Sequence, residues 1–286
     1  MSQKDEVRTD MSELLGEDEQ RDEAALLECL SKVGKALVAS GSAAGLVENT
    51  LAAIALSYRK DCEIVALPNV LMIKLGASGS APVHLTMQRL THLQLDQLSE
   101  IGILVDRVLR HDVPLLDAAS EIDRILIKVP RFRPVVVIVA YALSSIGLTM
   151  LFRPEPRALL VSGLTGIVAG SIILWFRNRR RFDLLLPVIA AIVISAIVFN
   201  LTRLGLLYGP TNLLIPPLVT FLPGVVLTTG MIELASMHIL SGSARLVYGA
   251  AVLFFLLFGI AIGQNLSGLG SYLVLPYEAV SIPWWA

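Results

Sequence analysis

Apolar residues recur at spacings of four, three and four over residues 24–39 (Leu26, Leu30, Val33, Leu37), a period that predicts an amphipathic helix. Ser40-Gly41 marks its end, because glycine tolerates the left-handed conformation that closes helices. Val47, Leu51 and Ile54 predict a second helix near 43–58. The pattern then changes to short apolar runs at 62–67, 70–75 and 83–87, separated by Pro68-Asn69 and the turn-rich stretch 76–82. These predict a small antiparallel sheet. Two further helices are expected near 93–110 (Leu98, Ile101, Val105, Val108) and 114–129 (Leu115, Ala119, Ile122, Leu126). The order α-α-β-β-β-α-α predicts an α+β domain over residues 24–130.

Five long apolar segments follow: 134–152, 158–176, 184–207, 213–240 and 246–269. A straight span needs about 20 residues at 1.5 Å each. The fourth segment is too long for one span and contains Pro216-Pro217 and Pro223-Gly224, so it is expected to be a broken helix. The predicted fold class is a multi-pass α-helical membrane protein, with five transmembrane helices over 131–270 and an N-terminal cytoplasmic α+β domain. Residues 1–23, rich in Asp and Glu, read as a disordered acidic tail, and 271–286 as a C-terminal tail on the outer side.

Charge sharpens this division. The 286 residues are 55% hydrophobic and 16% charged. Up to position 133 there are 15 basic and 20 acidic residues; beyond it there are 8 and 4. A purely soluble enzyme is excluded, and an acidic polar part argues against a nucleic-acid partner. Basic residues near the span ends set orientation. Lys128, Arg131, Arg133, Arg177, Arg179, Arg180, Arg181 and Arg245 fall on one side, and Arg153, Arg157 and Arg203 on the other. The expected arrangement is an inner (plasma) membrane protein with its N-terminus in the cytoplasm, its C-terminus outside, and Trp284-Trp285 as an outer interfacial anchor. Cys29 and Cys62 form no metal or disulfide framework. His84, His92 and His111 lack ligand spacing, and no nucleophile elbow or P-loop occurs. No cofactor, metal or catalytic residue is expected.

The unusual charges lie in the apolar half. Arg203 follows Asn200 by three positions, so both share a helix face; either they attract a carboxylate, or Arg203 snorkels to water from the end of its span. Glu233 follows Thr229 by four positions. Either it binds a substrate ammonium or relays a proton, or it pairs with Arg245 at the cytoplasmic end of the segment. Pro217, Pro223 and Gly224 interrupt the helix, and Thr228 and Thr229 add hydroxyls beyond the interruption. Broken helices of this kind present freed backbone groups to substrates and ions, although a simple proline kink has the same sequence. Gly166 and Gly170, and Gly259 and Gly263, are read as helix-packing pairs. Gln264 and Asn265 either line a path or cap their helix. In the polar domain, Ser40, Gly41 and Glu48 cluster around a helix-helix junction.

The stretch PLVTFLPGVVLTTGMIELA (217–235), followed by SGSARL (241–246), resembles the signature of the threonine/serine exporter family. GKALVASGSAAGLVENTL (34–51) and the Ala66-Leu67-Pro68 turn are similar to that family's N-terminal domain. The similarity runs from about residue 26 to 270. It implies export of small polar metabolites across a lipid bilayer. The family includes chains with two fused membrane halves, linked with threonine and serine, and split two-subunit members, linked with dicarboxylates. This chain is similar to the first half, so a second membrane half or a homo-oligomer is the expected partner.

The expected function is therefore a secondary, proton-driven exporter of threonine, serine or similar amino acids. Its expected pathway residues are Asn200, Arg203, Pro217, Pro223, Gly224, Thr228, Thr229, Glu233 and Arg245. A split dicarboxylate exporter is one alternative, and a membrane-anchored enzyme or regulatory domain is another.

Overall fold

The computed structural model describes residues 3–76, 82–87, 93–128, 131–152, 155–177, 185–207 and 210–268. Trp284-Trp285, the tail over 271–286, His92, and Arg153 with Arg179 to Arg181 lie outside the described residues. The chain divides into two compact units. One comprises Met1–Pro130 with Gly224–Tyr248, the other Arg131–Pro223 with Gly249–Ala286.

The first unit begins with α1 (Gln3–Ala39) and α2 (Ala44–Ser57). The sheet follows, with β1 (Cys62–Ala66), β2 (Val70–Leu75) and β3 (Val83–Met87), then α3 (Leu95–Leu109) and α4 (Leu115–Ile127). Helix α1 starts at Gln3 and so runs through the acidic stretch, where the sequence pattern placed the start near residue 24. The strands form an antiparallel sheet in the order β1-β2-β3, with Ile64 opposite Ile73 and Leu71 opposite Thr86. The two-residue period of a strand turns Leu71 and Ile73 inward together. They join Cys29, Leu30, Val33, Val47, Leu51, Ile54, Ile101, Leu104 and Ile122 in one core.

The helix ends are closed in a repeated way. Gly41 has φ +80°, its N–H bonds Val38 O, and Ser42 N–H bonds Leu37 O. This is a Schellman closure, which consumes two of the orphan carbonyls of α1. Arg59 and His111 close α2 and α3 with the same hydrogen-bond pair, each at φ 58°.

The second unit contains α5 (Pro134–Phe152), α6 (Pro156–Phe176), α7 (Leu185–Arg203) and α8 (Thr211–Leu218), which tightens into a 3-10 turn over Val219–Phe221. A break follows, then α9 (Gly224–Ala235) in the first unit and the continuous α10 (Ile239–Leu266). Among the described residues, α5, α6, α7 and α10 are long and apolar enough to cross a membrane, with mean hydropathies of 2.3, 2.1, 2.4 and 2.4. Counting α8 with α9 as one bent span makes five. The chain is a multi-pass helical membrane protein with a small three-stranded sheet in its N-terminal domain.

The glycine pairs pack as the sequence suggested. A Cβ on Gly166 would stand 2.8 Å from Ala142 Cα and from Tyr141 O. One on Gly259 would stand 2.8 Å from Val188 O, and one on Gly263 2.7 Å from Ile192 O. Backbones this close admit only glycine, so α6 seats on α5 and α10 on α7. Between α5 and α6, Ser162 Oγ lies 2.7 Å from Ser145 Oγ and accepts from Thr149 Oγ1 at 2.5 Å, so these buried hydroxyls satisfy one another.

Candidate functional site

The break between α8 and α9 follows from Pro223. A proline disfavours the helical conformation in the residue before it, and Leu222 is extended, with ψ 130°. The helix restarts at Gly224. Thr228 is exposed and Thr229 half-buried on α9, whereas Glu233 is 1% exposed. Met237 then closes α9 at φ 65°, its N–H bonding Leu234 O while His238 N–H bonds Glu233 O. This Schellman turn is built on a methionine where glycine is usual, and it folds the start of α10 back against α9. The two helices meet backbone to backbone: a Cβ on Gly242 would stand 2.8 Å from Gly230 O and 2.9 Å from Leu234 N.

That hairpin carries four polar side chains to the α1–α2 corner. Glu233 Oε1 accepts the backbone N–H of Ala44, the first residue of α2, at 2.9 Å. Ala43 at the N-cap offers no side-chain acceptor, so a carboxylate from far along the chain satisfies this N–H. It also suits the positive end of the helix. Arg245 Nε donates to the same oxygen at 3.1 Å and lies 3.0 Å from Oε2. The remaining guanidinium nitrogens reach the end of α1: Nη1 donates to Gly41 O at 3.1 Å, and Nη2 to Ser42 O at 2.9 Å. A cation there complements the negative end of α1. Arg245 is itself 7% exposed, so the pair is held out of water.

A second pair lies alongside. Glu48 on α2 accepts the Ala66 N–H at 2.9 Å through Oε1, and its Oε2 lies 3.0 Å from His238 Nε2. Ser241 Oγ donates to Ala66 O at 3.4 Å. The hydrogen bond to Glu48 raises the His238 pKa above its ordinary value, with burial opposing. Gly45 lets the ring approach, since a Cβ there would lie 3.1 Å from His238 Cε1. Ser40 Oγ donates to Leu37 O at 2.7 Å and lies 2.9 Å from Ser42 Oγ, bracing the turn that carries the two carbonyls.

The motifs noted separately along the sequence therefore converge. Gly41, Glu48, Glu233 and Arg245 meet in one polar cluster, with Ser40 beside it. Ser42 and Ala44 belong to it as well, through a backbone carbonyl and a backbone N–H that leave no residue-type signal, and so does the His238 ring, a lone histidine that no sequence feature singled out. Asn200, Arg203, Pro217 and Pro223 belong to the other compact unit. There Asn200 Nδ2 donates to Ala196 O at 2.8 Å, within its own helix. Arg203 Nη1 donates to Ser267 O at 3.2 Å, satisfying a carbonyl at the end of α10. Asn265 Nδ2 likewise bonds back to Ala261 O. Burial pushes the Cys29 thiol up to about 11, which leaves it an inert core residue.

Residues 28–267 match the family ThrE, described as "Putative threonine/serine exporter". Among curated relatives, pheromone-regulated membrane protein 10 of Debaryomyces hansenii is 23% identical over 244 residues, covering 84% of this chain and 24% of the relative. The proteins of that name from Candida albicans and Kluyveromyces lactis are 24% and 25% identical. Those two alignments cover 73% and 82% of this chain, and 19% and 25% of the relatives. The chain thus spans about a quarter of the length of the curated relatives it matches. No solved structure matches it at a significant level.

Proposed function

The chain belongs to the threonine/serine exporter family, and on that premise we propose that it exports small amino acids such as threonine and serine, alone as a homo-oligomer or with a second membrane half. The proposed setting is the inner (plasma) membrane, with the α+β domain in the cytoplasm and the C-terminus outside, as the distribution of basic residues favours. The proposed driving force is the proton gradient, through secondary transport. One observation carries the reading: a buried carboxylate, Glu233, stands on a proline-broken helix and is held by Arg245 and by the N–H of Ala44.

A buried ion pair is stable only while both partners are charged. Protonating Glu233 leaves Arg245 without its counter-charge and loosens the α9–α10 hairpin from the α1–α2 corner. In this proposal Glu233 is the group that converts proton uptake into release of α9. Thr228 and Thr229 on α9 supply hydroxyl partners for a hydroxylated amino acid. Asn200 and Arg203 are proposed pathway residues at the far end of α7.

The test is efflux of preloaded labelled threonine from exporter-deficient cells, with this chain alone and with a candidate second half. Labelled succinate is measured in parallel. Threonine efflux in either arrangement supports the reading. Succinate efflux alone replaces it with a dicarboxylate exporter. Efflux of neither moves the function to the α+β domain as a membrane-anchored enzyme or regulator.

A further inference from the structure

Met237 holds φ 65°, a left-handed conformation that a side chain adopts only at a cost. Such a turn persists where its surroundings over-determine it. Here the hold comes from the next residue. His238 Nε2 lies 3.0 Å from Glu48 Oε2, and Gly45 leaves room for the ring. Glu48 is anchored in turn, since its Oε1 accepts the Ala66 N–H at 2.9 Å. Ser241 Oγ adds only a 3.4 Å bond to Ala66 O. The ring's other nitrogen, Nδ1, is buried and makes no hydrogen bond, and the Ser236 carbonyl favours a proton on the ring. A neutral imidazole has a single N–H. With that N–H given to Glu48, Nδ1 is a buried acceptor with no donor. The imidazolium carries an N–H on both sides, so it alone suits a carboxylate at one edge and a carbonyl at the other.

We propose that His238 is a sensor of cytoplasmic pH: its protonated ring locks the α9–α10 turn to Glu48, and a more alkaline cytoplasm unlocks the turn and speeds export. The side chains of His238 and Glu48 are 28% and 25% exposed, whereas that of Glu233 is 1% exposed. The sensor therefore titrates with the surrounding solution, separately from the buried carboxylate. The charged groups that face it are Glu48 on α2, Glu233 on α9 and, through its pair with Glu233, Arg245 on α10. The two carboxylates favour the charged ring and the guanidinium opposes it. Strand β1 contributes only main chain, at Ala66. The sign is opposite to that of Glu233: a proton on Glu233 loosens the hairpin, and a proton on His238 holds it. As control of transport this rests on the exporter reading; as a pH-dependent attachment it stands on the geometry.

The experiment is labelled-threonine efflux from proteoliposomes holding the full chain, in the arrangement that supports transport. The pH of both sides is stepped together from about 6 to about 8.5, so that the gradient stays constant while the ring titrates. In the wild type the rate rises about fivefold across the raised His238 value, the difference between a charge-assisted hydrogen bond and a neutral one. His238→Gln keeps an N–H for Glu48 but carries no charge, so its rate stays at the alkaline level throughout while remaining gradient-driven. Glu48→Gln still accepts the Ala66 N–H and removes the charge beside the ring, so the rise moves to lower pH. That shift separates sensing from a purely structural contact. Hydrogen–deuterium exchange of peptides covering 236–242, corrected for the intrinsic rate, is read on the same samples and follows the same pattern. A wild-type rate independent of pH, or a wild-type profile in folded His238→Gln or Glu48→Gln, overturns the proposal. Without efflux in any sample the exporter reading fails and exchange alone decides: a pH-dependent rise in the wild type that His238→Gln lacks supports the sensor, and its absence overturns it.

Discussion

Glu233 caps a helix to which it is not connected. Its Oε1 takes the N–H of Ala44, 189 positions earlier, and so closes the N-terminus of α2, where Ala43 offers no side-chain acceptor. The same carboxylate holds Arg245, which in turn holds the end of α1. One ion pair therefore satisfies backbone groups at two helix ends, and its loss should be felt at both.

Replacing Arg245 by Met strands Glu233 as an uncompensated buried charge, which costs about 3–5 kcal/mol. Chemical denaturation of the α+β signal should show that loss. The double variant Glu233→Leu with Arg245→Met removes both charges and should recover part of it. A double variant as unstable as the single one would mean that the pair is not coupled.

Gly242 and Gly230 allow α9 and α10 to touch. Gly242→Ala forces a Cβ to within 2.8 Å of Gly230 O and of Leu234 Cγ, an overpacking that costs about 1–3 kcal/mol. Gly102 in α3 has nothing within 4 Å. Gly102→Ala should therefore raise stability by about 0.5–1 kcal/mol through helix propensity alone. Melting of the two variants in detergent should move in opposite directions.

Met237 sits at φ 65° and is 79% exposed. Met237→Gly removes the steric cost of the left-handed conformation and forfeits little packing. It should stabilise the hairpin by roughly 1 kcal/mol. A lower melting temperature would show that the methionine side chain has a partner.

The His238–Glu48 contact gives a pH dependence of defined sign. The folded-state pKa of His238 lies above its ordinary value of 6.5. Its stabilisation is therefore complete below about 6.5, and it is lost as pH rises through the raised value. Glu233 on α9 and Arg245 on α10 face the same junction as Glu48 on α2. Exchange of the α9–α10 turn should accelerate with pH in the wild type, beyond the intrinsic rate. In His238→Gln that extra dependence should be absent. An identical profile in both would remove His238 from the contact.

The element order and the strand bounds were legible because binary patterning is local: Leu71 and Ile73 alternate, and Leu26, Leu30 and Val33 recur at helical spacing. The helix break was legible because Pro223 acts on its own neighbour. The start of α1 was not, since its acidic residues carry no apolar period. The pairing of Glu233 with Arg245 was readable as one of two alternatives. Its docking on Gly41, Ser42 and Ala44 was not, because those contacts run through the main chain and depend on tertiary approach. The sharing of an N-terminal domain's compact unit with α9 was equally invisible, as hydropathy assigns α9 to the membrane segments.

The most direct test of the account is threonine efflux from proteoliposomes under an imposed proton gradient, comparing the wild type with Glu233→Gln, each with the partner half that supports transport. The variant keeps an acceptor for Ala44 N–H but cannot be titrated. The account expects it to insert and fold, verified by its elution profile, while gradient-driven efflux falls to the rate of empty liposomes. Gradient-driven efflux at the wild-type rate from a folded Glu233→Gln protein would contradict the account and remove Glu233 from the coupling.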